Sequence, residues 1–366
     1  MRIVRLSLNH LRKFDAVELL PSPGINLITG GNGAGKTSLL EALHLMAYGR
    51  SFRGRVRDGV IQKGAEALEI FVQWREHASG IADGGLHQAG LRHSGQAWKG
   101  RLDGEDVGQL GSLCAALAVV TFEPGSHALI GGGSEPRRRF IDWGLFHVEP
   151  DFLSFWRRYA RALKQRNALL KSGAPPRQLD VWDRELAEAG TPLTSRRQNY
   201  LDRLQERAVA IAADLAPGLQ LQGLELYAGW RRQEMSLADA LLLSRDRDRA
   251  AGHTSVGPHR ADWTISYAQI PGREALSRGQ AKLTALACLL AQADDYATQR
   301  GEWPVIALDD LGAELDRQHQ RRVLDRLTAT PAQIFITATE PPVALEEQLR
   351  TAAKFHVEHG KIQSLP

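Results

Sequence analysis

Gly30-Gly31-Asn32-Gly33-Ala34-Gly35-Lys36-Thr37-Ser38 is the stretch on which the reading of this chain turns. Gly30, Gly35, Lys36 and Thr37 stand at the spacing G-x-x-x-x-G-K-[ST] of a phosphate-binding P-loop. A polyphosphate is held there by backbone N–H groups at the start of a helix, and only glycine lets the chain curl closely around it. Lys36 would reach the β/γ-phosphates of ATP and the Thr37 hydroxyl would sit on Mg²⁺. Gly31, Asn32, Gly33, Ala34 and Ser38 complete the cradle. The flanks agree with this geometry. Ile25-Asn26-Leu27-Ile28-Thr29 is an apolar run fit for a buried strand, and Leu39-Leu40-Glu41-Ala42-Leu43-His44-Leu45-Met46 continues as helix.

Working outward, 366 residues with 43% hydrophobic content can bury one large core or two moderate ones. Met1-Arg2-Ile3-Val4-Arg5-Leu6-Ser7-Leu8 alternates apolar and polar residues and reads as a strand rather than a signal peptide. The longest apolar stretch, Leu283 to Ala291, falls far short of the ~20 residues that span a bilayer, so no membrane segment is expected. Cys114 and Cys288 have neither metal-ligand nor disulfide spacing, which points to a reduced, cytoplasmic setting.

The net charge of +4 is modest but unevenly spread. Between Arg137 and Lys171 there are nine Lys/Arg against three Asp/Glu. In this stretch Phe152, Phe155, Trp156, Tyr159 and Leu163 recur at helical spacing, with Arg157, Arg158, Arg161 and Lys164 mostly on the opposite face. A core-packed helix with a solvated side accounts for that pattern, and a basic surface facing phosphates is the sharper alternative. For Arg137, Arg138 and Arg139, intramolecular pairing competes with direct contact to phosphates.

The elements fall in a discontinuous order. Strand-like runs (Leu68 to Arg75, Ala116 to Phe122) surround the P-loop and its helix; from Ser134 to about Pro217 the chain turns helical, broken at Pro175-Pro176. Two alternating strands follow, around Leu219 to Leu226 and Trp263 to Tyr267, with a helix from Ser236 to Arg249 between them. After Ser277 the pattern returns to α/β, with a helix to about Gln299 and strands at Val305 to Leu308 and Ile334 to Thr337.

The second chemical motif is Val305-Ile306-Ala307-Leu308-Asp309-Asp310. A buried parallel strand ending in two acids would set Asp309 beside the P-loop to hold Mg²⁺ and leave Asp310 to orient or deprotonate an attacking water. Upstream, Ser277-Arg278-Gly279-Gln280 opens a helix and offers a hydroxyl and free N–H groups to a phosphate. Downstream, Gly312-Ala313-Glu314-Leu315-Asp316 is turn-like.

P-loop, LSGGQ-like signature, double-acid strand and D-loop in this order resemble the ABC ATPases. The interval from Lys36 to Ser277 is too long for a compact transporter subunit. It is too short for SMC or Rad50 coiled coils, since it offers helices of only about 20 to 35 residues, roughly 30 to 50 Å at 1.5 Å per residue. The chain most resembles the RecF family. Asn32 to Ala42 followed by Gly49-Arg50-Ser51-Phe52-Arg53 is similar to its amino-terminal pattern, Arg137-Arg138-Arg139-Phe140-Ile141-Asp142 to its R-R-x-F-[LI]-D element, Gly257-Pro258-His259-Arg260-Ala261-Asp262 to its G-P-H-R-x-D element, and Ser277 to Gln280 to its variant signature.

The resemblance implies an α/β ABC-ATPase head of P-loop type with an inserted, mainly helical second lobe and no long coiled coil. It places lobe I at 1–125 plus 290–366 and lobe II at 126–289, ending in the signature. It implies a DNA-repair ATP switch that binds single-stranded, gapped and duplex DNA and forms an ATP-dependent homodimer. Ser277, Arg278, Gly279 and Gln280 would complete the partner's nucleotide site, with Asp316 in the D-loop. It further implies work with RecR and RecO in RecA loading, replication recovery and SOS induction. A transporter-type or metabolic ATPase, a scaffold that binds ATP without turnover, and an SMC-like ATPase with another DNA role are the alternatives; retention of Asp309 and Asp310 argues against the scaffold.

Two departures bear on mechanism. Arg278 replaces the first glycine of the transporter-type signature, bringing a guanidinium toward the partner's γ-phosphate. Asp310 stands where many ABC ATPases carry Glu, one methylene longer, which fits a slow switch. The segment Glu123 to Gly133 gives no Q-loop glutamine, and after Ile334 to Glu340 there is no switch histidine, so any γ-phosphate sensor there is a threonine.

Overall fold

The computed structural model describes residues 1–56, 59–76, 85–341 and 349–365. They divide into two compact units, the first formed by Met1–Ser126, Asp214–Ala216 and Ala285–Pro366, the second by His127–Ala213 and Pro217–Thr284.

The first unit opens with strands β1 (Arg2–Leu11), β2 (Phe14–Leu19) and β3 (Ile25–Thr29), then helix α1 (Lys36–Tyr48). Strands β4 (Leu68–Arg75), β5 (Leu86–His93), β6 (Trp98–Leu102) and β7 (Glu105–Val107), helix α2 (Leu110–Ala116) and strand β8 (Val119–Phe122) follow. The strand expected from Ala116 begins instead at Val119, because Leu113 and Cys114 continue a helical spacing that buries α2.

The second unit contains α3 (Ala128–Gly131), α4 (Ser134–Val148), α5 (Phe152–Lys171), most of α6 (Pro176–Leu215), β9 (Leu221–Tyr227), α7 (Leu237–Leu243), α8 (Arg245–Ala251) and β10 (Asp262–Tyr267). Helix α6, at 40 residues, exceeds the expected arm length and continues through Pro192, whose ring removes one backbone bond. The single helix expected from Ser236 to Arg249 is two, since the Ser244 hydroxyl donates to Leu241 O and the Asp248 carboxylate at the break. Strands β9 and β10 pair antiparallel. Arg166 on α5 is fully buried and donates to Asp183 of α6 and Asp248 of α8 at 2.6 and 2.7 Å, pinning three helices by one guanidinium.

Helix α9 (Arg278–Arg300) leads back to β11 (Val305–Leu308), α10 (Leu311–Glu314), α11 (Arg317–Thr328), β12 (Ile334–Ala338), β13 (Ala353–Glu358) and β14 (Lys361–Leu365). Among the described residues the first unit holds two sheets. One is antiparallel, in the order β2-β1-β4-β5-β6-β7; the other runs β14-β13-β3-β12-β11-β8 and is parallel except at β14. Every residue of β3, β8, β11 and β12 is buried, as expected for strands covered on both faces. Leu39, Leu40, Leu43 and Met46 of α1 share a core with Leu6 and Leu8 of β1, Val72 and Trp74 of β4, and Phe335 of β12. Buried on nearly every side, α1 lacks an amphipathic stripe. The buried Gln333 side chain accepts from Ile3 N and donates to Ile3 O, tying β1 to the start of β12. No helix among the described residues is long and apolar enough to cross a membrane.

Candidate nucleotide site

Strand order places the chemistry. The P-loop leaves the carboxyl end of β3, Asp309 leaves β11, and β12 lies between them in the sheet. This is the edge where an open parallel sheet offers ligands a crevice.

The loop is built on glycine where the backbone demands it. Gly30 has φ 148° and Gly35 φ 123°. A Cβ on Gly30 would lie 2.2 Å from Val357 O, and one on Gly35 2.9 Å from the Phe14 ring. Gly31, Asn32 and Gly33 are exposed, and the loop borders an open cavity of about 540 Å³ lined also by Lys13, His356 and His359. Helix α1 has no side-chain cap and no acid in its first turn, which leaves its positive end to an anion.

Lys36 is buried and its ammonium donates to Gly30 O at 2.7 Å and Gly31 O at 3.0 Å. Burial lowers its pKa, opposed by the nearby Asp310 and Asp309 carboxylates. Thr37 donates to Asp309 Oδ1 at 3.0 Å, and Thr337 of β12 donates to the same oxygen at 2.7 Å. The Thr337 hydroxyl in turn accepts from Asp310 N at 2.8 Å. Asp309 is buried, and desolvation raises its pKa against the pull of the two threonine hydroxyls. A buried carboxylate held above its ordinary range beside a threonine hydroxyl matches the oxygen donors a hard divalent cation takes, so Thr37 and Asp309 fit Mg²⁺. Asp310 adopts the left-handed conformation at φ 49° at the N-cap position of α10, without a side-chain cap bond, and is half-buried.

Sequence reasoning did not find Arg12, and it met Arg53 only as the last residue of a family-like pattern with no role assigned. Arg12 forms a two-pronged pair with the fully buried Glu41 of α1, at 2.9 and 2.7 Å, and Glu41 also accepts from the Ser51 hydroxyl. Ser51 Oγ accepts from Arg53 N at 2.9 Å. This chain of contacts fixes the loop after α1 so that Arg53 acts electrostatically on Asp309. A lone arginine in a loop, Arg12 between β1 and β2 or Arg53 after α1, gives no periodic signal for its role.

In the second unit, Ser277 and Gln280 form a reciprocal capping box: Ser277 N donates to Gln280 Oε1 and Gln280 N to Ser277 Oγ, at 2.9 and 3.2 Å. Ser277, Arg278 and Gly279 are exposed. Asp316, in the first unit, caps α11 by accepting from Gln318 N and His319 N, and its carboxylate also meets the His319 ring at 2.6 Å.

For Arg137 the expected DNA contact requires correction. Arg137 is buried, bonded to Asp262 at 2.6 and 3.0 Å and to three carbonyls of residues 129–132, so it has no donor to offer DNA. Arg138 donates to Ser134 and to Ala261 O, both at 2.7 Å, while Arg139 is exposed and pairs with Glu135. His259 is likewise structural. Its Nδ1 meets Tyr159 Oη at 2.7 Å and Nε2 meets Thr254 O at 3.0 Å, and burial drives its pKa down to about 4.

With this geometry in hand, residues 2–363 match the family described as RecF/RecN/SMC N terminal domain. The chain is 73% identical over 366 residues, the whole of both proteins, to the DNA replication and repair protein RecF of Stenotrophomonas maltophilia (strain R551-3). This chain belongs to the RecF family. The RecF of Shewanella oneidensis is 38% identical over 366 residues, 99% of each chain. A solved structure described as the recombination mediator protein RecF-ATP in the RecFOR pathway superposes with a TM-score of 0.86 at 25% identity, over 100% of this chain and 98% of that one. An SMC head bound to the winged-helix domain of ScpA gives a TM-score of 0.60 at 16% identity, which shows the shared head fold. The RecF fold is thus an ABC-type ATPase head, and among the described residues it carries no long coiled coil.

Proposed function

We propose that this chain is an ATP-gated DNA-binding protein of replication and recombinational repair. The observation that carries the reading is the convergence of Thr37 and Asp309 beside the Lys36 cradle, two Mg²⁺ donors brought together from distant positions by the order of the parallel strands. The names of its relatives and the ATP in a solved RecF support the same reading.

In this reading the P-loop N–H groups bind the phosphates of ATP, and Lys36 exchanges its carbonyl partners for the β/γ-phosphates. Mg²⁺, held by Thr37 and Asp309, supplies charge neutralisation. Asp310 positions the attacking water, and Thr337 reports the γ-phosphate to it through the bond from Asp310 N. Ser277, Arg278 and Gly279 complete a second copy's site, so ATP joins two chains and slow hydrolysis releases them. The homodimer binds single-stranded, gapped and duplex DNA in the cytoplasm, and with RecO and RecR promotes RecA loading and SOS induction. The experiment is light scattering with and without Mg·ATP, followed by titration of gapped DNA. ATP is expected to convert monomer to dimer and to raise DNA affinity in the same preparation; a monomer that binds ATP and ignores DNA overturns the reading.

A further inference from the structure

The structure points to helix α5 as a DNA-backbone surface: we infer that Arg157, Lys164 and Lys171, with Arg161 beside them, track the phosphates of a DNA strand. The inference rests on the DNA-binding reading above and names the face that performs it.

Helix α5 carries Arg157, Arg158, Arg161, Lys164, Arg166 and Lys171, and no Asp or Glu. The structure separates these cations by role. Arg166 is fully buried in its ion pairs with Asp183 and Asp248. Arg158 is spent on Glu185 and Glu188 of α6, with both of its bonds to Glu185 at 2.6 and 2.7 Å. That clamp offsets one of the two carboxylate charges that face the neighbouring cations. Arg157, Arg161, Lys164 and Lys171 are exposed. Among the described residues Arg157, Lys164 and Lys171 form no ion pair, and Arg161 acts on Glu185 only at longer range.

The spacing suits a polyanion. Arg157, Lys164 and Lys171 recur every seventh residue, about 10.5 Å apart at 1.5 Å rise, and drift only ~20° per step. One DNA strand carries a phosphate for about every 3.4 Å of duplex axis, so a row of cations about 21 Å long faces several phosphates within the reach of flexible arginine and lysine side chains. A protein partner is the weaker fit, because an interface core is depleted of charge and enriched in aromatic and apolar groups. Trp156, 42% exposed, is the single large hydrophobic side chain that α5 leaves open.

The test is fluorescence anisotropy of a labelled gapped duplex with Mg·ATP over a series of salt concentrations, comparing wild type with R157A/K164A/K171A. All three positions are exposed, so the thermal melt is expected to be unchanged. If each cation meets one duplex phosphate, the slope of log K against log salt becomes shallower by about 2.7, at ~0.9 per contact, for every sequence alike. The charge-preserving R157K/K164R/K171R is expected to keep the wild-type slope. Wild-type binding with an unchanged slope in the alanine variant overturns the α5 surface and leaves the DNA-binding reading intact. Failure of wild type to bind DNA overturns both. A parallel titration with labelled poly-L-glutamate tests the acidic-protein reading, and an alanine variant that loses this binding while keeping wild-type DNA binding overturns the inference.

Discussion

Thr37 and Asp309, 272 positions apart in the chain, meet through a 3.0 Å hydrogen bond at the carboxyl edge of the parallel sheet. Because β12 lies between the strands that carry them, Thr337 reaches the same Asp309 oxygen and holds the carboxylate in place. The carboxylate is charged only at the expense of burial, which is the condition a cation relieves. Burial raises the Asp309 pKa, so between the ordinary carboxylate range and that raised value the folded chain holds a proton the unfolded chain has released. Stability therefore falls as pH rises through that window.

Asp309→Asn keeps an Oδ1 acceptor for both threonines and removes the buried charge. At pH 8 without Mg²⁺ or nucleotide the variant is expected to melt higher by a few degrees, corresponding to about 1 kcal/mol. The stabilisation that Mg·ATP gives wild type should be largely lost in it. Differential scanning calorimetry with and without Mg·ATP checks both, and a variant stabilised by Mg·ATP as strongly as wild type removes Asp309 from the metal site.

Lys36 and Asp310 separate binding from turnover. Lys36→Ala is expected to weaken ATP binding sharply, while Asp310→Asn, whose backbone bond to Thr337 is untouched, binds ATP normally and hydrolyses it slowly. A fluorescent ATP analogue beside a phosphate-release assay distinguishes them. Unchanged hydrolysis in both variants would sink the assignment.

Neighbouring glycines of the loop should behave differently. Gly30→Ala drives a Cβ to within 2.2 Å of Val357 O at φ 148°, so the first unit is expected to be destabilised by more than about 3 kcal/mol. A Cβ on Gly31 meets nothing within 4 Å. Gly31→Ala should therefore fold normally and lose ATP affinity only through crowding of the phosphates. Thermal melts paired with ATP titration test the contrast; equal destabilisation of the two variants would refute it.

The P-loop, Asp309 and Asp310 were legible in the sequence because each is a local pattern whose chemistry dictates its neighbours: glycines at positive φ, then a helix start, or an apolar strand ending in acid. The Arg137 to Arg139 run left pairing and DNA contact both open for the same reason that Arg53 carried no role. A charge declares its sign in sequence but not its partner, and Asp262, which neutralises Arg137, lies on a strand 125 positions away. On α5 the helical period gave the basic face, but only the clamp of Arg158 on Glu185 and Glu188 shows which of its cations are free.

Arg137 and Arg139 should accordingly differ in stability and not in DNA binding alone. Arg137→Ala removes the two-pronged partner of Asp262, which keeps Trp263 N and the nearby Arg273, and the donor to three carbonyls, expected to cost on the order of 3 kcal/mol. Arg139→Ala loses one exposed helical pair, worth about 0.3–0.5 kcal/mol. Urea unfolding of the two variants is the measurement, and an Arg137→Ala midpoint equal to wild type would show that its bonds carry no net stability.

The last prediction concerns pairing of two chains. Ser277 caps α9, so replacing it has a local cost as well as any effect on a partner: loss of the cap alone is worth about 1 kcal/mol. Ser277→Ala isolates that cost and leaves the surface open, while Ser277→Arg adds bulk and charge where a second copy's phosphates are proposed to sit. Both variants should melt a few degrees lower and bind ATP as monomers nearly as well as wild type. Only Ser277→Arg should fail to dimerise with Mg·ATP in light scattering. If it dimerises as wild type does, the signature does not act across the interface; if Ser277→Ala also fails, the contribution is the cap that orients α9 rather than direct contact with the partner's nucleotide.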